Sequence, residues 1–365
     1  MFENLKKAYL LLADGTEFEG YSFGCEGEVV GEVVFSTAST GYQESLTDPS
    51  YNDQIVTQTF PLIGNYGINS SDFESDKCHL SGYVVRQWCE YPSNFRCEET
   101  IDTFLKKQNV VGIYGIDTRA LTRILREHGV MGGIISTLET YTKEDGLKKI
   151  KQFKPNLTVK PVSVKEKQVF RAENKKYTVA LMDYGYKFNI RRDLLKRGCD
   201  VIVLPSNTNA NEIKALNVDG IMLSNGPGDP TSNIEEVENL KQIAELGIPM
   251  FGICLGHQLL ALSQGAKTFK LKYGHRGENQ PVTDIDLDKT FVTSQNHGYT
   301  VDKNTIDKSV GYVSHINAND SSCEGVKYTK FNAFTVQFHP EACGGPQDTA
   351  FLFDRFIENI EKSKK

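Results

Sequence analysis

Hydrophobic positions along the chain follow two different rhythms, and the change falls near residue 177. Before about residue 150, short apolar runs alternate with glycine-containing turns, as in "AYLLLADGTEFEG", "GEVVFSTASTGY" and "QIVTQTF". Such runs predict short strands. One clear amphipathic helix, "TRALTRILREHG", begins at Thr118 behind Asp117, a residue type that caps helix N-termini. The pattern predicts a smaller, mixed α+β domain over residues 1–150.

From Tyr177 onward, apolar strand-like runs alternate with amphipathic helical runs. The strand candidates are "YTVALMDYG", "DVIVLP", "GIMLS" and "IPMFGIC", and helical segments such as "FNIRRDLLKRG" and "LGHQLLALSQG" follow them. Successive strand–helix units of this length predict an α/β domain with a doubly wound parallel sheet and helices on both faces. The Lys-rich stretch 151–176, with its two prolines, predicts a surface linker, so the second domain covers residues 177–365.

Composition and charge narrow the class of protein. The 365 residues suffice for two domains of ordinary size, 24% of them are charged, and the formal net charge is −6. Without a basic stripe, nucleic-acid binding is not expected, and no apolar run reaches the roughly 18–20 residues of a membrane span. The N-terminus does not have the pattern of a secretory signal, so we expect a cytoplasmic protein whose eight cysteines stay reduced. No two cysteines form a C-x-x-C pair, so no metal site is expected.

One cysteine has a sequence context that ordinary burial does not require. The stretch 252–256, "GICLG", has the form G-x-C-x-G and lies where an apolar strand gives way to a helix. It is the thiol counterpart of the hydrolase nucleophile elbow, in which the flanking glycines let strand and helix pack closely. The turn would place Cys254 at a helix N-terminus, which favours the thiolate, and would direct the backbone N–H of Leu255 towards a developing oxyanion. The alternative is a buried, unreactive cysteine beside packing glycines.

A base for this cysteine is found in "AFTVQFHPEA", residues 333–342. The run "FTVQF" predicts a strand, and in an extended chain His339 and Glu341 project to the same side. The imidazole would take the proton of Cys254, and the carboxylate would hold the ring in the useful tautomer. The alternative is a surface His-Pro-Glu turn.

The remaining histidines are weaker candidates for the base. His257 follows Cys254 by three residues on the same helix and is expected to point along the helix rather than at the sulfur. His297, in "SQNHGYT", is expected in a glycine-containing turn at the rim of a binding site. The others have no acidic partner at strand spacing and are interpreted as ordinary polar residues: His79, His128, His275 and His315.

Four motifs together resemble the triad glutamine amidotransferases. They are "SNGPGDP", "GICLGHQ", "SQNHGY" and "FHPEA", which occur in this order within roughly residues 178–361. Two N-terminal stretches, residues 33–69 and "GIDTRALTRILREHG" at 115–129, are similar to the small subunits of carbamoyl-phosphate synthetase. The resemblance therefore spans nearly the whole chain. It implies a glutaminase domain preceded by an N-terminal domain that contacts a partner subunit and forms part of the glutamine pocket.

The resemblance assigns roles residue by residue. It implies that Cys254 is the nucleophile, His339 the general base and acid, and Glu341 the residue that orients the imidazole. It also implies an oxyanion hole made by the backbone amide of Leu255 and by Gly226. The implied glutamine pocket consists of Ser50, Gly226, Gly228, Leu255, Gln258, Asn296, Gly298 and Tyr299. Because Ser50 belongs to the N-terminal domain, the pocket would straddle the two domains.

Two positions depart from the family pattern. Position 299 is often Phe in the family, and Tyr299 retains the aromatic ring. Cys343 follows "HPEA" where a serine is common, and we interpret it as an inert thiol because no elbow surrounds it.

The resemblance implies an activity and a partner. The chain would hydrolyse L-glutamine to glutamate and ammonia through a glutamyl thioester. A large subunit would receive the ammonia and make carbamoyl phosphate from bicarbonate and ATP, for arginine biosynthesis, pyrimidine biosynthesis or both. The two chains would form a heterodimer or a larger assembly. No cofactor is expected in this chain, which has no G-x-x-x-x-G-K-[ST] loop, so ATP and Mg would belong to the large subunit.

Two other functions remain open from the residues alone. A stand-alone cysteine amidohydrolase or peptidase would use the same elbow and would turn over fully without a partner. A catalytically inactive regulatory scaffold would fold in the same way without hydrolysing glutamine. The joint presence of Cys254, His339 and Glu341 argues against the scaffold.

Overall fold

The computed structural model describes residues 5–342 and 344–365. The chain divides into two compact units, the first ending at Asn156 and the second beginning at Leu157. None of the helices in the described residues has both the length and the apolar character that crossing a membrane requires.

The first unit is built around a closed barrel of strands. Its strands are β1 (Lys7–Leu12), β2 (Glu17–Gly24), β3 (Glu28–Ser36), β4 (Gln54–Gln58), β5 (Leu62–Ile63), β6 (Gly82–Val84), β7 (Gln87–Trp88), β8 (Val111–Tyr114) and β9 (Met131–Ser136). The barrel closes in the order β1-β2-β8-β6-β4-β3-β9, and β5 pairs with β7 in a separate ribbon. The helices are α1 (Tyr42–Leu46), α2 (Ile101–Lys107), α3 (Thr118–His128) and α4 (Lys143–Gln152).

The helix predicted behind Asp117 is confirmed as α3. The Asp117 carboxylate accepts a hydrogen bond from the backbone N–H of Ala120 at 3.0 Å, which is the capping contact expected of this residue type. Leu121 and Leu125, four residues apart, are fully buried on one face of the helix. The other helices of this unit were not predicted, because helices of five to ten residues give the 3.6-residue period too few repeats.

The second unit contains a ten-stranded sheet flanked by helices. Its strands are β10 (Gln168–Phe170), β11 (Tyr177–Asp183), β12 (Cys199–Pro205), β13 (Gly220–Leu223), β14 (Met250–Ile253), β15 (Thr268–Asp284), β16 (Lys289–Val301), β17 (Gly311–Asn317), β18 (Cys323–Tyr328) and β19 (Ala333–Val336). Its helices are α5 (Phe188–Lys196), α6 (Ala210–Leu216), α7 (Ile234–Ala244), α8 (Leu255–Ser263) and α9 (Phe351–Ser363).

The centre of this sheet is parallel, in the order β12-β11-β13-β14-β19. Alternate residues of β11 face opposite sides: Met182 packs in one apolar cluster with α7 and α8, and Leu181 packs in another with α5 and α9. Helices therefore cover both faces, as the doubly wound α/β pattern predicts, and this fold class is confirmed. Residues 268–328 add β15 to β18 in antiparallel pairings, which were not predicted.

The stretch predicted as a linker contains regular structure at both ends. Helix α4 extends to Gln152, and β10 pairs antiparallel with β12 at the edge of the large sheet. Val159, in between, is fully buried. The residues from Leu157 onward belong to the second unit.

Candidate active site

Cys254 occupies the turn between β14 and α8. Its backbone has φ 51° and ψ −104°, a conformation that side-chain-bearing residues rarely adopt and that carries strain. The backbone N–H of Cys254 donates to the carbonyl of Val336 at 2.8 Å, which ties the turn to the end of β19. The residue is 2% exposed. A strained, buried turn between a strand and a helix is the geometry of a nucleophile elbow.

The glycines on either side of the cysteine leave no space for a side chain. A Cβ atom at Gly256 would lie 2.5 Å from the carbonyl oxygen of Leu223, and one at Gly252 would lie 2.8 Å from Cγ2 of Thr335. The first clash is with the backbone of β13, which cannot move without disturbing the sheet. The packing reason inferred for the two glycines from the sequence is therefore confirmed.

Cys254 and His339 both contact neighbouring residues of strand β16. The thiol of Cys254 lies 3.8 Å from the carbonyl oxygen of Asn296, within hydrogen-bonding range for sulfur. The backbone N–H of His339 donates to the carbonyl of Ser294 at 2.9 Å. Residues i and i+2 of a strand present their groups in the same direction, so both residues lie along one side of β16. Nε2 of His339 is buried and makes no hydrogen bond to the described residues.

His339 and Glu341 form a buried couple. Nδ1 of His339 lies 2.6 Å from Oε1 of Glu341, and each residue is 1% exposed. Since a carboxylate only accepts, Nδ1 carries the proton and Nε2 keeps its lone pair. The backbone expectation was wrong: β19 ends at Val336, and the two residues lie in a turn rather than an extended strand. The turn around Pro340, instead of strand alternation, brings the side chains together.

Lys187 is a third polar residue that contacts both members of this couple, and the sequence reasoning missed it. Its Nζ lies 3.2 Å from Nδ1 of His339 and 3.5 Å from Oε1 of Glu341. The residue precedes α5, and its backbone N–H donates to the side chain of Asn225 at 3.1 Å. A signal was present, because Lys187 follows the first parallel strand at its carboxyl end, where ligands bind in such sheets.

Electrostatics keep the Glu341 carboxylate ionised. Burial by itself raises the pKa of Glu341, but the charges of His339 and Lys187 and the hydrogen bond with His339 outweigh burial and leave the pKa below its usual value. An ionised carboxylate at this position stabilises a proton on the neighbouring imidazole.

The loop after β13 lies beside the first turn of α8. The backbone N–H of Gly256 donates to the carbonyl of Ser224 at 3.0 Å. A Cβ atom at Gly226 would meet the carbonyl of Tyr184 and would lie 2.8 Å from Cδ2 of Leu255. The two residues assigned to the oxyanion hole are therefore neighbours.

Gly228 has a different environment. Its φ is +90°, and a Cβ atom there would meet the carbonyl group of Leu157. This position thus needs glycine for backbone reasons, and a part in glutamine binding stays a prediction.

Gln258 connects the nucleophile helix to β16. It lies one turn after Cys254, and its Nε2 donates to the carbonyl of Tyr299 at 2.8 Å and to Oε1 of Gln337 at 2.8 Å. Tyr299 takes part through its backbone, so this contact is open to any residue at that position. Asn296 and Gly298 belong to the same strand. With Leu255, five predicted pocket residues therefore lie on α8 and the adjoining part of β16.

Ser50 and Cys343 are the remaining residues that were singled out from the sequence. Ser50 lies in the first unit, in a 3-10 turn over Pro49–Tyr51, and its backbone N–H donates to the Asp48 carboxylate at 2.9 Å. Its contribution to a glutamine pocket stays a prediction. Cys343 lies outside the described residues.

His257 is placed as expected for a residue that is not the base. Its Nδ1 lies 2.8 Å from Oγ1 of Thr335, and burial lowers its pKa to about 3, so it is neutral. His297 differs from expectation, because it lies within β16 (Lys289–Val301) and not in a turn. Burial, followed by the charge of His275, holds the pKa of His297 well below its usual value.

Two histidines interpreted as ordinary polar residues have acidic partners. His275 lies 2.8 Å from Asp320, and His315 lies 3.3 Å from Asp284. For His275, burial lowers the pKa, but the hydrogen bond and charge of Glu324 and Asp320 outweigh it and raise the pKa overall. These partners come from other strands or loops, so a search for acidic residues close in sequence does not find them.

Comparison with known proteins agrees with both units. A model of the carbamoyl-phosphate synthase small chain, CPSase domain, matches residues 10–135, and a model of class-I glutamine amidotransferases matches residues 180–359. A carbamoyl phosphate synthase small chain of Fusobacterium nucleatum is 52% identical, covering 98% of this chain and 99% of the relative. Those of Syntrophotalea carbinolica and Clostridium perfringens are 48% and 50% identical, covering 98% and 96% of this chain and 99% of each relative. The chain therefore belongs to the carbamoyl phosphate synthase small chain family and is a class-I glutamine amidotransferase.

Proposed function

We propose that this chain hydrolyses L-glutamine through Cys254, His339 and Glu341 and delivers the ammonia to a large subunit that makes carbamoyl phosphate. The observation that carries the proposal is the strained turn at Cys254 combined with a buried imidazole whose Nδ1 is tied to a carboxylate. Nε2 of that imidazole makes no hydrogen bond to the described residues and keeps a lone pair for proton transfer. A nucleophile, a base and a group that orients the base are the parts that acyl transfer requires.

In the acylation step, Sγ of Cys254 attacks the side-chain amide carbon of glutamine. The thiol proton goes to Nε2 of His339, and the carbonyl electrons move to the oxygen, which accepts hydrogen bonds from the backbone N–H of Leu255 and from Gly226. His339 then gives its proton to the amide nitrogen, the C–N bond breaks, and ammonia leaves. A glutamyl thioester remains on Cys254. Losing one oxyanion donor in comparable enzymes costs about 3 kcal/mol of barrier.

In the deacylation step, water attacks the thioester. Nε2 of His339 takes a proton from the water, the C–S bond breaks, and the proton returns to sulfur as glutamate leaves. Glu341 and Lys187 act on the imidazole in opposite directions: the carboxylate at 2.6 Å stabilises the imidazolium, and the ammonium at 3.2 Å opposes it.

The position of Cys254 also favours its activation. A free thiol with a pKa near ~8.5 is only a few per cent thiolate at pH 7. Cys254 immediately precedes α8, and the N-terminus of a helix stabilises a nearby negative charge. The helix end and His339 together supply the thiolate.

For the substrate, we propose the pocket that the family motifs imply. The main chain and side chains of Ser50, Gly226, Gly228, Leu255, Gln258, Asn296, Gly298 and Tyr299 bind glutamine. Gln258 and β16, joined by the hydrogen bond to the Tyr299 carbonyl, form the wall next to the nucleophile.

The need for a large subunit follows from the chemistry of ammonia. Ammonia released into water is protonated and lost to synthesis, so the large subunit receives it directly. ATP and Mg are used by the large subunit, glutamine hydrolysis by this chain needs no cofactor, and the carbamoyl phosphate enters arginine or pyrimidine biosynthesis. The reaction takes place in the cytoplasm, in keeping with the free thiols of the seven described cysteines.

The test is glutamate release by the purified chain, measured alone and with a large subunit, ATP and bicarbonate. We expect strong stimulation by the partner and its loss in Cys254→Ser. Cys199→Ser, a change at another buried cysteine, is the matched control and is expected to retain activity. Equal rates with and without the partner would favour a stand-alone hydrolase, and no hydrolysis under any condition would favour a regulatory scaffold.

A further inference from the structure

Three buried side chains from three strands of the second unit converge on one point. They are His275 on β15, His297 on β16 and Glu324 on β18, which are 8%, 5% and 0% exposed. One ligand-type atom from each lies within 4.8 Å of the other two. Oε1 of Gln295 joins them, at 3.1 Å from Nδ1 of His275 and 3.0 Å from Nε2 of His297.

The polar atoms of these side chains make the hydrogen bonds that usually orient metal ligands. Nδ1 of His297 donates to the backbone carbonyl of Tyr299 at 2.7 Å, and Nε2 of His275 lies 2.8 Å from the Asp320 carboxylate. A histidine that binds a metal commonly donates its second ring N–H to a backbone carbonyl or to a carboxylate, and the two histidines here show one of each. The Glu324 carboxylate accepts hydrogen bonds from Asn317 at 3.1 Å and from Gln295 at 3.0 Å.

Nε2 of His297 and the side-chain oxygen of Gln295 have no proton between them. The Tyr299 carbonyl only accepts, so Nδ1 of His297 carries the proton, and Nε2 of the neutral ring has a lone pair. That lone pair faces the carbonyl oxygen of Gln295 at 3.0 Å, and two acceptors at this distance repel each other. Rotating the Gln295 amide gives His297 a donor, but it places the amide oxygen next to Oε2 of Glu324, another acceptor. A cation at the centre satisfies all these atoms with the amide as it stands.

We propose that His275, His297, Glu324 and Gln295 bind a zinc ion that joins β15, β16 and β18. Two imidazoles and a carboxylate are ligands that Zn²⁺ prefers. Zinc bonds near 2.0–2.2 Å in a tetrahedron place neighbouring ligand atoms about 3.4 Å apart. The separation of Nδ1 of His275 and Oε1 of Glu324 is 3.4 Å, and the two distances from Gln295 are slightly shorter.

The site would have a structural role beside the proposed glutamine pocket. His297 lies between Asn296 and Gly298, so an ion that fixes its ring also fixes this part of β16. The sequence contained no sign of such a site, because its ligands are spread over 50 residues and form no C-x-x-C or H-x-x-x-H pattern.

The experiment is zinc titration of the full chain after chelator treatment, in a Cys254→Ser background so that the active-site thiol cannot bind the metal. One zinc ion per chain with a Kd below about 1 μM is expected. His275→Asn and Glu324→Gln are each expected to weaken binding at least about 100-fold, and Asp320→Ala, which removes only an outer contact, about 10- to 100-fold. His315→Asn, in a similar buried His–Asp pair outside the cluster, is the matched control and retains the affinity.

X-ray absorption at the zinc edge tests the same site without altering its ligands. The proposal predicts nitrogen and oxygen neighbours at about 2.0–2.2 Å with imidazole scattering. Sulfur at about 2.3 Å would overturn it, because it would place the metal on cysteines. Zinc binding that survives both His275→Asn and Glu324→Gln would mean an adventitious metal only and would overturn the proposal. Failure of the chain to bind zinc would overturn the proposal and favour the rotated Gln295 amide.

Discussion

A methyl group added at residue 256 tests whether activity depends on close packing of the nucleophile turn. In Gly256→Ala, the new Cβ would lie 2.5 Å from the carbonyl oxygen and 2.7 Å from Cβ of Leu223, whereas ordinary contacts begin at 3.4 Å. The difference, 3.4 − 2.5, is 0.9 Å. Because β13 is held by strands on both sides, the start of α8 must move by most of this distance, together with Cys254 and Leu255.

Such a shift has two measurable consequences. Misplacing a reacting group by about 1 Å lowers the rate about 100-fold, so kcat/KM for glutamate release should fall by about that factor. Inserting a methyl group into a well-packed site costs about 1–3 kcal/mol of unfolding free energy. Urea denaturation measures the second effect, and a coupled glutamate assay with the large subunit measures the first.

Gly265→Ala separates the two effects. Gly265 follows the other end of α8, has φ +90°, and would bring a Cβ near no other atom within 4 Å. The left-handed backbone makes the substitution cost about 1–2 kcal/mol, but Cys254 does not move, so wild-type activity is expected. If Gly256→Ala keeps full activity, or if its kcat/KM falls no more than that of Gly265→Ala, then activity does not depend on close packing of the turn at Cys254.

Three further predictions concern charged groups. Lys187→Met removes a cation that lowers the pKa of Glu341, so the acid limb of the kcat/KM profile should move to higher pH, and Lys187→Arg should shift it less. For Asp284, burial raises the pKa, but the hydrogen bond and charge of His315 outweigh burial and lower it to about 2. The depressed pKa stabilises the fold by about 2 kcal/mol above about pH 4 and ceases to do so as pH falls through about 2. Urea denaturation of Asp284→Asn should therefore show a deficit that narrows in acid, and a constant deficit would contradict this. Asp117→Ala should lower the unfolding free energy by about 1 kcal/mol and Asp117→Asn by much less, and equal losses would refute the capping role.

The fold was predictable where a hydrophobic pattern repeats several times within one continuous segment of the chain. The strand–helix units from residue 177 and the eleven-residue helix α3 repeat their pattern often enough to be read. Strands β15 to β18 were not predicted, because they contain glycine and pair across bulges, and because exposed and buried positions alternate irregularly along β15 and β16. Their pairing depends on contacts between residues far apart in sequence.

In the candidate site, too, features that depend on neighbouring residues were predictable, and contacts between residues far apart in sequence were not. The strained turn at Cys254 is local, so the spacing of two glycines was enough to indicate it. The partnership of His339 with Glu341 was expected for the wrong backbone reason, since a turn and not a strand joins them. Lys187 is 152 residues from His339 and was missed, because only the sheet brings the carboxyl ends of β11 and β19 to one edge.

Intact-mass spectrometry of the acid-quenched chain can show whether the sulfur of Cys254 carries the glutamyl group during turnover. After incubation with L-glutamine and the large subunit, we expect a fraction of the chain to be heavier by one glutamyl group. Peptide mapping should locate that group on Cys254, and Cys254→Ser should not form it under the same conditions. Glutamate release with the adduct on another residue, or undiminished release by Cys254→Ser, would show that Cys254 is not the nucleophile.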